Sequence, residues 1–259
     1  MTIFIVTYYR DFEWLDYLLR SIEKYAEGFN GVVIVADNDG NLVPEHTVNR
    51  ITKMPVDVVY VDVPDKVPNS MVPSMKGYFW QVFLKLNWWR YCSDDSVMQI
   101  DSDCLLTKTL TPEDLQAENG KWIWTGRPWA SMPQQYWRES TEKLMRVKTE
   151  NQTMIGQMYP FAISATKAFL EYLTNEPSEN WSWQTMIKMD IDKMSEYCAF
   201  GTFVSVVDKD NDEYSFVLFK DARDYRDSEY KKKVGGIKYR SWDGLSDKIK
   251  AEYESYLTD

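Results

Sequence analysis

The chain has 259 residues, with 44% hydrophobic and 27% charged side chains and a formal net charge of -10. Such a composition excludes collagen, low-complexity disorder and a coiled-coil rod, and a chain this long can bury a sizeable core. The acidic balance disfavours general nucleic-acid binding, because polyanions are repelled at long range.

The first apolar run, Ile3 to Val6, falls far short of the ~18 residues that a membrane span needs. No basic region precedes it and no small-residue cleavage site follows, so neither a span nor a signal peptide is expected. Three cysteines, Cys92, Cys104 and Cys198, suit free thiols in a reducing cytoplasm better than a disulfide scaffold. The tryptophan content is high, at 11 residues.

In chain order, Ile3-Phe4-Ile5-Val6 reads as a strand buried on both faces. Asp11 offers an N-cap for a helix whose apolar stripe is Leu15, Leu18, Leu19 and Ile22, with Gly28 as its stop. Val32 to Val35 is a second strand, ending in the polar turn Ala36-Asp37-Asn38-Asp39-Gly40. Asp57 to Val63 predicts a third strand, and a loop carrying Pro64, Pro68 and Pro73 precedes a helix from about Met75 to Tyr91. Val97 to Ile100 predicts a fourth strand, ended by Asp101-Ser102-Asp103. This series implies an α/β fold with a mostly parallel sheet flanked by helices, whose strand ends share one ligand-binding edge.

Beyond it, Lys121 to Thr125 and Tyr159 to Ser164 predict strands. Thr166 to Leu173 predicts a short helix and Trp181 to Met194 weak helix. Phe203 to Val207, rich in β-branched residues, predicts another strand. Pro128 to Arg138 is a loop rich in Trp and Gln. Residues 220–240 carry eight basic against four acidic side chains, either a site for one anionic ligand or a solvated mixed-charge face. No long linker interrupts the chain, so 1–259 reads as a single domain with halves 1–118 and 119–259.

The sharpest local feature is Asp101-Ser102-Asp103. Two carboxylates at i and i+2 after an apolar strand point to one side and need a compensating cation. A hard divalent ion takes such oxygens and keeps open positions for phosphate oxygens. Asp208 to Asp212 fails the calcium-loop pattern, with Glu213 where glycine is required, and reads as a turn. No Gly-rich phosphate loop follows the first strand.

On these residues the chain resembles the GT-A glycosyltransferases, whose Asp-x-Asp motif holds Mn2+ or Mg2+ against a nucleotide-sugar diphosphate. Val6-Thr7-Tyr8-Tyr9-Arg10-Asp11 looks like the first-strand loop that receives the donor. The helix Gly77 to Leu86, with Gln81, Lys85 and Leu86, looks like the Gln-x-x-x-Lys-Leu helix of one branch of that superfamily. Met194 to Gly201 is similar to its Ser-Glu-Tyr stretch.

The resemblance implies a metal-dependent transfer of a sugar from a nucleoside-diphosphate sugar such as a UDP-sugar. The acceptor would be a hydroxyl of a glycan or envelope precursor. It implies Asp101 and Asp103 as metal ligands, Asp103 and Glu196 as catalytic residues, and Thr7, Tyr9, Arg10, Asp37, Asn38, Gln81, Lys85, Ser102, Lys220 and Arg226 as donor-binding residues. Many GT-A enzymes add a late histidine to the metal. The single histidine here is His46, in an early loop, so the third protein ligand is either missing or an oxygen such as that of Asp221.

Two other readings stand beside this one. A phage DNA glycosyltransferase acting on a hydroxymethylated pyrimidine would use the basic segment. A non-catalytic nucleotide- or sugar-binding protein would keep the fold alone. Trp122, Trp124, Trp129, Trp137, Trp181 and Trp183 lie in the second half, where indole faces either fill the core or stack on sugars and bases.

Overall fold

The computed structural model describes residues 1–38, 40–64, 73–132, 137–156, 158–189, 194–238 and 244–258. Asp39, Pro68, Arg240 and part of the Trp- and Gln-rich loop therefore lie outside the described residues.

In chain order the elements are β1 (Thr2–Thr7), α1 (Phe12–Tyr25), β2 (Val32–Asp37), α2 (Glu45–Val48), β3 (Val56–Val61), α3 (Pro73–Leu86), β4 (Ser96–Ile100) and β5 (Cys104–Leu105). There follow β6 (Trp122–Pro128), α4 (Arg138–Met145), β7 (Asn151–Gln152), β8 (Met158–Ala162), α5 (Ile163–Thr174), α6 (Trp183–Lys188) and α7 (Glu196–Thr202). The chain closes with β9 (Tyr214–Leu218), α8 (Ala222–Asp227), α9 (Glu229–Val234), β10 (Ile237–Lys238) and α10 (Asp247–Leu257).

The main sheet has the order β3-β2-β1-β4-β8. Its first four strands are parallel, and β8 runs antiparallel to β4. The two faces of β1 explain its all-apolar sequence. Ile3 and Ile5 pack with Leu15, Leu18, Leu19 and Ile22 of α1, while Phe4 and Val6 pack with Phe79, Val82 and Leu86 of α3. The chain passes from β1 outward through β2 to β3, then returns to place β4 on the other side of β1. That reversal makes the C-terminal ends of β1 and β4 the switch point of the sheet, where such folds open a crevice.

Several expectations are corrected. Phe203–Val207 is a π-helical turn continuing α7, with the Asp208 amide bonded to the Phe203 carbonyl at 2.8 Å. Phe203 and Val204 are buried there against α5, so packing overrides the β preference of the valines. The helix expected up to Tyr91 ends at Leu86. Asn87 turns its side-chain amide back onto the Phe83 carbonyl at 2.7 Å, and a 3-10 turn, Trp88–Arg90, follows. The segment expected as a strand to Ser164 leaves the sheet at Ala162, and its last residues open α5. β9 pairs in parallel with β6 in a second, three-stranded sheet.

Candidate active site at the sheet switch point

Thr7 ends β1 with its side chain buried, and its Oγ1 has no hydrogen-bond partner among the described residues. The next residues surface. Tyr8 and Tyr9 are 40% and 42% exposed and meet edge to face, and Arg10 donates from Nε to the Tyr9 hydroxyl at 3.0 Å.

Asp11 stands at the N-cap position of α1 but makes no capping bond with its side chain, contrary to the role its position suggested. It is buried instead, with Oδ2 3.5 Å from the Ser102 hydroxyl. Burial, then the neighbouring Asp103 and Asp101, push its carboxyl up to about 7. The first-strand loop and the Asp-x-Asp turn thus meet through Asp11. The sequence placed Asp11 in the donor-like loop and as a helix cap, and its contact with the Asp-x-Asp turn was not foreseen.

The Asp-x-Asp turn follows β4. Ser102 and Asp103 are buried, and Asp101 is mostly so, with its side chain 16% exposed. Asp101 Oδ1 accepts from Lys85 Nζ at 2.6 Å and from the Tyr197 hydroxyl at 3.1 Å. Lys85 Nζ also donates to Glu196 Oε1 at 2.7 Å and lies 4.6 Å from the centre of the Tyr197 ring.

The Lys85 side chain is 5% exposed and that of Glu196 4%. Burial alone would lower the Lys85 pKa, but Asp101 and then Glu196 outweigh it and hold the ammonium above its ordinary value. Burial, followed by the same two carboxylates, holds the Tyr197 phenol well above its usual range, so it stays a donor. Tyr78, one turn before Gln81, donates to the Met194 carbonyl just ahead of the Glu196 helix.

The other expected residues fall into three groups. Gln81 is half-buried on the face of α3 that carries Lys85. Asn38, beside the half-buried Asp37, closes the ends of β2 and β3, with its amide on the Asp62 carboxylate at 2.6 Å. Lys220 and Arg226 are exposed around α8. The Oδ1 of Asp221 caps α8, accepting from the Arg223 and Asp224 amides at 2.8 and 2.9 Å.

Of the six tryptophans, Trp124, Trp129, Trp181 and Trp183 are core residues, and Trp122 and Trp137 are half-buried. Glu196 opens α7 behind the Ser195 cap, which accepts from the Cys198 amide.

The fit of a divalent ion to these residues can be tested on the donor set. Oxygen ligands suit Mn2+ or Mg2+. However, Lys85 already meets Asp101 Oδ1 at 2.6 Å. Among the described residues, moreover, no three His, Cys, Asp or Glu side chains converge on one point as a cation-holding group. At Asp101 the expected metal centre therefore does not fit, because a cation of the chain already meets its Oδ1.

The fold resembles that of the GT-A glycosyltransferases. A crystal structure of an active-site glutamine-to-glutamate mutant of LgtC superposes with a TM-score of 0.55 at 11% identity, covering 100% of this chain and 95% of that one. The chain belongs to the family of unknown function DUF6492, whose model matches residues 3–217. No curated protein matches it.

Proposed function

We propose that this protein is a glycosyltransferase that moves a sugar from a nucleoside-diphosphate sugar to a hydroxyl acceptor, a glycan or envelope precursor. One observation carries the reading. At the switch point of a GT-A-like sheet, the loop after β1 and the turn after β4 bring the buried Asp11, Ser102 and Asp103 together.

In this reading residues 1–118 take the donor and 119–259 the acceptor. Thr7 and Ser102 offer hydroxyls to the donor, Tyr9 with Arg10 forms a rim on which a base can stack, and Asp37, Asn38 and Gln81 border it. Lys220 and Arg226 are the cations available to leaving phosphates. Asp103 faces the reacting centre. Glu196, the expected acid/base, accepts from Lys85 at 2.7 Å and holds that lysine in place. No step of the proposal runs through Mn2+ or Mg2+. Three free thiols suit a cytoplasmic site of action.

For the alternative DNA-base acceptor, several cations of the basic segment have partners within the chain. Lys232 meets Glu229 at 2.6 Å, Lys233 meets Asp114 at 3.6 Å, Arg223 meets Asp227 at 3.7 Å, and Lys231 turns onto the Gly235 carbonyl at 2.7 Å.

The test is thermal unfolding with UDP, GDP and CDP, each with and without Mn2+, followed by release of nucleotide from the matching sugar donors. A rise in Tm for one nucleotide in either arm, together with turnover that Asp103→Ala abolishes while the protein stays folded, is expected. No shift with any nucleotide, or full turnover in Asp103→Ala, removes the reading.

A further inference from the structure

The cation that the two motif carboxylates require is already present at one of them, supplied by the chain. The Lys85 ammonium has three protons. One points to Asp101 Oδ1 and one to Glu196 Oε1, at 2.6 and 2.7 Å, and the Tyr197 ring lies beneath at 4.6 Å. An ammonium so surrounded is satisfied without water.

Its position is also fixed from the backbone. Gln99, on β4 two residues before Asp101, donates from Nε2 to the carbonyl of Lys85 at 2.8 Å. Strand β4 and the turn after it therefore grip Lys85 twice, by its backbone and by its ammonium, and the register between lysine and carboxylate is set by one short stretch of chain. Tyr197 adds a second bond to the same Asp101 oxygen at 3.1 Å, and its ring is stacked on Tyr159 at 4.1 Å. A divalent ion on that oxygen would stand beside a fixed positive charge, and Lys85 would have to give up a bond to admit it.

We infer that Lys85 is a resident cation that takes the place of a divalent ion at Asp101, so that Asp101 is an anchor for the motif turn and not a metal ligand. Lys85 is then a positioning residue. It ties the turn after β4 to α7 through Glu196, 111 positions away in the chain, and any ion that enters the crevice does so without Asp101. This goes beyond the transferase reading and does not depend on it, since a sugar transferase and a simple binding protein would share the same anchor.

The experiment uses Mn2+ alone as the probe, titrated into the full-length protein and followed by the electron paramagnetic resonance of free Mn2+. Wild type, Asp101→Asn and Lys85→Met are compared. Asp101→Asn is expected to hold Mn2+ within twofold of wild type, including the case in which neither holds any. Lys85→Met leaves Asp101 and Glu196 facing each other without an ammonium and is expected to gain at least tenfold in Mn2+ affinity.

A tenfold loss of Mn2+ affinity in a folded Asp101→Asn overturns the inference, as does a folded Lys85→Met with no gain. If Lys85→Met does not fold, Asp101→Asn decides alone. Because no nucleotide or sugar is present, failure here is distinct from failure of the transferase reading, which the nucleotide shifts and released nucleotide report.

Discussion

Tyr253 donates its hydroxyl to the backbone carbonyl of Asp103 at 3.1 Å, joining the last helix to the Asp-x-Asp turn across 150 positions of chain. The phenol is fully buried, edge to face with Trp14 at 6.0 Å and Tyr17 at 5.3 Å. The strand pair Lys238↔Cys104 and Ile237↔Leu105 reinforces the contact. The turn is therefore held from outside by a segment that follows the part matched by the family model.

Tyr253→Phe keeps the ring packing and leaves the Asp103 carbonyl without this donor. Removing one partner of a buried hydrogen bond costs about 1–3 kcal/mol. Urea unfolding should register that loss, with the m-value unchanged. A loss below about 0.5 kcal/mol would mean that the carbonyl finds another donor at once.

The same helix carries an ion pair of a different kind. Arg20 holds Glu254 through both oxygens at 2.6 and 2.7 Å, but the side chains are 27% and 39% exposed. Water and salt screen such a pair, so Glu254→Gln should cost no more than about 1 kcal/mol, and less in concentrated salt. The contrast with Tyr253→Phe is the measurement: the buried neutral bond should outweigh the exposed charged one.

Gly201 lies in α7, where replacing glycine by alanine ordinarily stabilises a helix by about 1 kcal/mol. Here the sign reverses. A Cβ at Gly201 would collide with Trp124 Nε1 and stand 2.5 Å from Thr153 Oγ1. These atoms are committed, because Trp124 donates to the Thr153 carbonyl at 2.7 Å and Thr153 to the Cys198 carbonyl at 2.9 Å. Gly201→Ala should lose about 1–3 kcal/mol by thermal or urea unfolding. A neutral or stabilising result would contradict this packing.

Two thiols make a prediction about alkaline pH. Burial, followed by nearby acids, pushes Cys92 up to about 12, and burial pushes Cys198 up to about 12 as well. Between pH ~9 and ~12 the unfolded chain gives up protons that the folded chain keeps, so these groups make stability fall as pH rises through that window. The double replacement of Cys92 and Cys198 by Ala should flatten the fall. Iodoacetamide at pH 8 should label native Cys92 and Cys198 at least ~100-fold more slowly than the urea-unfolded chain.

Much of the architecture was legible in the residues. Ile3 to Val6, Val32 to Val35 and Val97 to Ile100 are buried strands because parallel strands covered on both faces need continuous apolar sequence. The α1 stripe was equally plain. The π-turn at Phe203–Val207 was not, because β-branched residues carry the same local preference whether they enter a sheet or pack a helix turn against Phe169 and Tyr172.

In the site, the spacing of Asp101 and Asp103 and the pairing of Gln81 with Lys85 on one helix face could be read directly. That Asp11 would turn from capping its helix to face Ser102 could not. Both outcomes satisfy the same local sequence, and only the neighbouring strand decides between them.

From its residues alone this protein was readable as a mostly parallel α/β sheet with acids at the end of its fourth strand, because continuous apolar runs the length of a strand carry their own signal over a few residues. Which positive charge meets Asp101 was decided by the fold. Lys85 on α3, Asp101 after β4 and Glu196 on α7 become neighbours only once β4 lies beside β1 and α7 packs on α3. A charge pairs with whatever opposite charge lies nearest in space, and distance along the chain carries no record of that.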